Sequence, residues 1–300
     1  MKVGLILGGG GEVGIAWEIG VLAALQRETG FEAASSEVIA GTSAGAIVGA
    51  YAAQGRAMPE LAELEQRGEG LPVGAGFGAE PAAAGDDSQA GSTAIPEEIV
   101  SALMSTEGTL EERGARLGEL ALRASVPLDE AVFVDGFRTM LGGDAWPSVD
   151  FRPTTVNAES GETTLWDRRS GIGLAAAVAS SCAVPGVFPP VEFGGRHFID
   201  VPRRPFARDL VKSESLDAII FVGLILPILA NNNEQKDELA EQAAGGGLEV
   251  VTVTGGPGVD SIGADLLDHS ARVRAVEVGL DEGRRAADAV TAITSAKNRV

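Results

Sequence analysis

Twice within its first 55 residues the chain runs a short apolar segment into a glycine-rich turn and then into a small-residue helix. This repetition constrains the fold most. Val3 to Leu7 is apolar toward both faces and stops at Gly8-Gly9-Gly10-Gly11, as a fully buried strand does. A helix is predicted over Val13–Glu28. Ile15, Ile19, Leu22 and Gln26 share one stripe, Val21 and Leu25 lie beside it, and Gly30 stands at a C-cap position. Glu37 to Ala40 is a second short strand, and Gly41-Thr42-Ser43-Ala44-Gly45-Ala46 turns into a helix over Ala44–Gln54. Strand, helix, strand, helix in that order predicts an α/β fold with a mostly parallel sheet.

Residues 68 to 95 break the pattern. They are rich in Gly, Ala and Pro with little periodicity, the composition of a mobile lid or a surface insertion. Helices are predicted again at Pro96–Ser105, Leu110–Ala124 and Leu128–Leu141. A hairpin follows from Arg152–Ala158 to Glu162–Trp166, then a short helix at Leu174–Ser181. A second hairpin runs from Val191–Phe193 to Arg196–Ile199 across Gly194-Gly195. Beyond it come a strand at Ala218–Leu224, a helix at Glu234–Ala243, a strand at Leu248–Thr254 and a long helix from Ser270 to Ser295. No internal repeat is visible. The reading is a single α/β domain over 1–300 with a helical insertion and a flexible segment near 68–95.

The bulk numbers narrow the function classes. A formal net charge of -20 argues against nucleic acid, which needs a basic face. The same charge lends no attraction to an anionic membrane. The single cysteine, Cys182, forbids an intrachain disulfide and fits a reducing compartment. The apolar run at the N-terminus is too short for a secretory signal. The most apolar stretch, Ile219 to Ala230, carries Pro227 and is 12 residues long, where a spanning helix needs roughly 20. It reads as a buried strand running into a loop, and a cytoplasmic location is expected.

Two glycine motifs could carry chemistry. Gly9-Gly10-Gly11-Glu12-Val13-Gly14 satisfies GxGxxG between a strand and a helix, the setting of a dinucleotide site. That reading also wants an acid at the end of the second strand. Glu32 has the spacing but precedes that strand, which ends in Ala40-Gly41. A nucleotide-binding oxidoreductase therefore stays as an alternative. Gly41-Thr42-Ser43-Ala44-Gly45 satisfies GxSxG in a strand–turn–helix context, where the serine hydroxyl stands clear of the backbone and a helix N-terminus lies behind it.

A nucleophilic serine needs a base. The chain has only two histidines, His197 within a strand and His269 at the start of a long helix, and both have ordinary surface explanations. Among carboxylates, Asp200 ends the strand Arg196–Ile199, where open α/β sheets build their sites. Asp135 and Asp167 read as turn or ion-pair residues.

With GGGG, GTSAG and a strand-ending aspartate in this order, the sequence resembles the patatin-like phospholipases. LGGGGEVGIAWEIGVLAAL resembles that family's oxyanion loop and following helix, VIAGTSAGAIVGA its nucleophile elbow, and SSCAVPGVFPPVEFGGRHFID the run to its catalytic aspartate. The resemblance implies a three-layer α/β/α fold and hydrolysis of lipid carboxylic esters by a Ser–Asp dyad without histidine, cofactor or metal. Ser43 would be the nucleophile and Asp200 the base. Gly9, Gly10 and Gly11 would form the oxyanion hole, with Gly41 and Gly45 flanking the elbow. The implied partner is a lipid or acyl-ester substrate, met in transient contact with a membrane surface; oligomeric state stays open. Two departures stand out. Val13 replaces the family's usual Lys or Arg, and Val201-Pro202 replaces its Gly-Gly or Gly-Ala after the aspartate. An acyl-binding member with weakened or no turnover is therefore the first alternative, ahead of the oxidoreductase.

Overall fold

The computed structural model describes residues 1–71, 96–201, 205–226, 229–256, 258–263 and 265–295. The predicted lid segment thus lies outside the described residues from 72 to 95, as do Pro202 and Pro227.

The elements, in chain order, are β1 (Val3–Leu7), α1 (Gly11–Thr29), β2 (Val38–Thr42), α2 (Ala44–Ala53), α3 (Met58–Gln66), α4 (Glu97–Met104), α5 (Leu110–Arg123), α6 (Glu130–Leu141), β3 (Asp150–Asn157) and β4 (Thr163–Leu165). Then follow α7 (Leu174–Ser181), β5 (Val191–Phe193), β6 (Arg196–Ile199), α8 (Ala207–Glu214), β7 (Ala218–Val222), α9 (Ala230–Ala244), β8 (Glu249–Val253) and α10 (Arg272–Ser295). The strands form a mixed, mostly parallel sheet flanked by helices, the α/β fold expected from the sequence.

The described residues fall into two compact units. The first comprises Met1–Leu71, Trp146–Thr154 and the chain from Arg204 onward; the second comprises Pro72–Ala145 and Thr155–Arg203. In the first, β2 and β7 flank β1, with β3 beyond β2 and β8 beyond β7, all parallel. Leu7 stands opposite Gly41 on one side and Val222 on the other, so the three strands end together. The loops that follow them therefore emerge at one edge, where α/β sheets bind ligands.

Helix α1 is buried from Glu12 to Leu25 and packs on α2, α3 and α10. Its contact with α10 is backbone to backbone. A methyl on Gly279 would strike the Trp17 carbonyl, and one on Gly283 would come within 2.5 Å of the Val21 carbonyl. Trp17 is wholly buried, with its backbone carbonyl against Gly279.

In the second unit, β6 pairs antiparallel with the C-terminal half of β3 (Val156 opposite Ile199) and with β5. Gly194 and Gly195, at φ 64° and 73°, make the two-residue turn of that hairpin. Its core gathers Ile99, Leu117, Val156, Ile199 and Val201.

Several boundaries moved. α1 begins at Gly11 rather than Val13, and β2 runs through Gly41 to Thr42, where Thr154 of β3 pairs with it. α10 starts at Arg272, behind a single 3₁₀ turn at His269–Ala271. Helices α3 and α8 have no counterpart in the sequence reading.

Candidate functional site

The elbow is built by backbone geometry. Ser43 sits between β2 and α2 at φ 53° and ψ -114°. The only other non-glycine residue with positive φ among the described residues is Ser215, which ends α8 in the ordinary left-handed conformation. A side chain held in such a sparsely populated region costs of order 1–3 kcal/mol and persists only when its surroundings impose it. Here those surroundings are glycines. A methyl on Gly41 would collide with the Gly45 carbonyl, and one on Gly45 would lie 2.5 Å from the Leu7 carbonyl. Behind the serine, α2 is buried along its whole length and presents its N-terminus to Ser43. The carbonyl of Ser43 accepts the N–H groups of Ala46 and Ile47 at 2.8 and 3.2 Å, and the Thr42 hydroxyl is hydrogen-bonded to that of Thr154 at 2.7 Å.

The glycine loop lies against this elbow. Gly45 donates its N–H to the Gly8 carbonyl at 2.9 Å, and a methyl on Gly9 would stand 3.9 Å from the Ser43 Cβ. Gly8 donates to Val222 at 2.9 Å. Gly9 is clasped by Asn232, whose Oδ1 accepts the Gly9 N–H at 3.0 Å while its Nδ2 donates to the Gly9 carbonyl at 2.9 Å. Val13 donates to the Leu266 carbonyl at 3.2 Å. The N–H groups of Gly10 and Gly11, at the open start of α1, meet no protein acceptor among the described residues. Gly11 takes φ 59° with its Cα against the Leu266 carbonyl, which admits no side chain. So the loop of Gly9, Gly10 and Gly11 and the elbow of Gly41, Ser43 and Gly45 come together within the first unit, with the Gly9 amide already engaged.

Charge around the loop is paired. The guanidinium of Arg272, 2% exposed, bridges Glu12 Oε2 at 2.9 Å and both oxygens of Glu65, which is 1% exposed. His269 Nδ1 lies 2.9 Å from the same Glu12 oxygen, and Glu65 also accepts the Leu71 N–H at 3.2 Å. Deeper in α1, Glu18 is fully buried. Burial pushes its carboxyl well above its ordinary value of 4.5, against the opposing pull of a hydrogen bond from the Gly8 backbone.

Asp200 belongs to the second unit. It follows Ile199 of β6, and its N–H donates to the Ala183 carbonyl at 2.9 Å. Thr155 Oγ1 lies 3.0 Å from the Ile199 carbonyl and 2.9 Å from that of Ser180, fixing the strand end. Val201 is buried in the core of this unit and keeps a negative φ, so the valine acts as a packing residue where glycine would have been free.

The remaining candidates have structural roles. His197 is hydrogen-bonded to Glu159 at 2.8 Å, Asp167 binds Arg169 and Ser170, and Asp135 pairs with Arg138. Glu32 accepts from Gln26 at 2.8 Å and lines a cavity with Val3, the first residue of β1, so it stands at the far end of that strand from the glycine loop. Among the described residues no helix is long and apolar enough to cross a membrane.

Comparison with known proteins adds to this geometry. A family model described as patatin-like phospholipase matches residues 5–200. None of the curated proteins matches the chain. Among solved structures, VipD from Legionella pneumophila is similar at TM-score 0.46 and 14% identity, over 96% of this chain and 67% of its own. The type III effector protein ExoU is similar at TM-score 0.37 and 15% identity, over 95% of this chain and 53% of its own. In the complex of SpcU with ExoU from Pseudomonas aeruginosa the figures are 0.36 and 18%, over 94% and 52%. The chain thus spans between about half and two thirds of those chains.

Proposed function

The chain belongs to the patatin-like phospholipase family, and from that premise we propose that it is a serine acyl hydrolase cleaving carboxylic esters of lipids or related acyl compounds. Ser43 Oγ attacks the ester carbonyl carbon while the Asp200 carboxylate takes its proton. The carbonyl oxygen becomes an oxyanion held by the N–H groups of Gly10 and Gly11, with Gly9 anchoring the loop. Collapse of the tetrahedral intermediate expels the alcohol, which leaves with the proton from Asp200, and acyl-Ser43 remains. A water deprotonated by Asp200 then attacks the acyl carbon, and collapse of this second tetrahedral intermediate breaks the bond to Ser43 Oγ, which takes the proton back from Asp200 as the acid leaves.

The observation that supports this reading most is the strained φ of Ser43, imposed by glycines at the N-terminus of a buried helix, in an elbow hydrogen-bonded to a second loop whose Gly10 and Gly11 amides meet no protein acceptor among the described residues. Strain of that kind costs stability, and packing alone gives no reason to keep it. The alternative of acyl binding without turnover draws on Val13 and Val201. Both are buried packing residues. A displacement of the aspartate near 1 Å would cost about 100-fold in rate.

Hydrolysis of chromogenic acyl esters by the wild type, Ser43→Ala and Asp200→Asn separates these readings. Turnover that falls by about 10⁴-fold or more in Ser43→Ala supports the hydrolase. Equal turnover in wild type and Ser43→Ala contradicts it, and saturable ester binding without turnover in the wild type favours the binding protein.

A further inference from the structure

We propose that Asn232 is a positioning residue that aims the oxyanion-binding amides, an inference that rests on the hydrolase reading above. Asn232 lies in the first turn of α9 and is 3% exposed. Its buried primary amide spends both donors and an acceptor on backbone: Gly9 N–H at 3.0 Å, the Gly9 carbonyl at 2.9 Å and the Leu224 carbonyl at 2.8 Å. Only a short planar group with a donor beside an acceptor can clasp one residue in this way. Asp lacks the donors, Leu lacks both functions, and Gln is one carbon too long. Gly8 makes room for it, since a methyl there would lie 2.7–2.9 Å from the Asn232 amide atoms.

The consequence follows from peptide planarity. In a trans peptide the N–H points opposite to the C=O of the preceding residue. Holding the Gly9 carbonyl on Asn232 therefore turns the Gly10 N–H away from Asn232. The next plane is held likewise, because the Gly10 carbonyl accepts from Gly14 at 2.8 Å, which directs the Gly11 N–H out of the helix start. Asn232 thus occupies the Gly9 amide and orients that of Gly10, next to the Gly11 amide that the helix itself directs. Its anchor on Leu224, just past β7, ties that orientation to the central sheet.

Two measurements test this. In Asn232→Asp and Asn232→Leu, kcat for an acyl ester is expected to fall about 100-fold with KM nearly constant, the signature of a lost transition-state contact. Affinity for a trifluoromethyl ketone, which mimics the tetrahedral intermediate, should fall in proportion. A folded variant with wild-type melting temperature and kcat within about threefold of wild type overturns the proposal. If neither variant folds, the wild type decides the matter by amide NMR before and after reaction with a fluorophosphonate. Large shifts at Gly10 and Gly11 with Gly9 unmoved are expected. The largest shift at Gly9 overturns the assignment, and failure to form any adduct on Ser43 removes the hydrolase reading and this inference together.

Discussion

Gly45 donates its backbone N–H to the carbonyl of Gly8 at 2.9 Å, so the elbow that carries Ser43 and the loop that offers its amides are one hydrogen-bonded assembly. Gly45 stands with its Cα against the Leu7 carbonyl, and Gly41 with its Cα against the Gly45 carbonyl. The closeness of the two loops is set by the absence of side chains at these positions.

Gly45→Ala should therefore act as an overpacking substitution. The added methyl would meet the Leu7 carbonyl carbon and oxygen at 2.5 Å, both rigid strand atoms. A loss of about 1–3 kcal/mol in urea unfolding is expected. Gly9→Ala is the control, because its methyl meets nothing closer than 3.7 Å. Its stability should stay within about 0.5 kcal/mol of wild type.

Arg272 holds Glu65 and Glu12 together in a site closed to water. Arg272→Ala leaves the Glu65 carboxylate buried without its partner, and denaturant unfolding should register about 3–5 kcal/mol. Arg272→Met combined with Glu65→Leu should recover part of that loss, because it removes the buried Glu65 carboxylate along with its partner while Glu12 keeps His269.

Glu18 makes stability depend on pH. Its folded-state carboxyl is raised above the unfolded value near 4.5 by burial. The folded chain therefore holds a proton that the unfolded chain gives up. The contribution is complete below about pH 4.5 and is lost as pH rises toward the folded value. Wild-type stability relative to Glu18→Gln should then decline as pH increases above about 4.5. Unfolding curves for both proteins from about pH 4 to about pH 8 check this, and a constant difference would show that Glu18 does not titrate with folding.

The loop should not bind dinucleotides. Glu32, the acid with the expected spacing, sits at the opposite end of β1 from Gly8–Gly11, and a five-residue strand is roughly 16 Å long. Titration with NAD(H) or NADP(H) is expected to leave the fluorescence of the three tryptophans unchanged; saturable quenching would revive the oxidoreductase reading.

Local signals were the legible part of this fold. The Gly194-Gly195 hairpin, α7 and the two strand–glycine–helix units stand where their turn residues and periodicity put them. Helix α3 carries little local signal, because MPELAELEQ buries only four residues and lacks a side-chain cap at Ala57. Gly41 continues β2 against local propensity, carrying the strand on to Thr42, because β3 pairs alongside them. The partners of the glycine loop are a different matter. Asn232 lies 223 residues from Gly9, and Arg272 lies 260 from Glu12, so no spacing rule connects them. Folding alone brings them there. The engagement of the Gly9 amide by Asn232, which leaves Gly10 and Gly11 as the proposed donors, could be read only from three-dimensional contacts.

Fluorophosphonate labelling followed by mapping of the modified residue tests the nucleophile most directly. A single adduct on Ser43 in the wild type, absent from Ser43→Ala and slowed in Asp200→Asn, is the expected result. Labelling that persists undiminished in Ser43→Ala would contradict the assignment of Ser43 as the nucleophile.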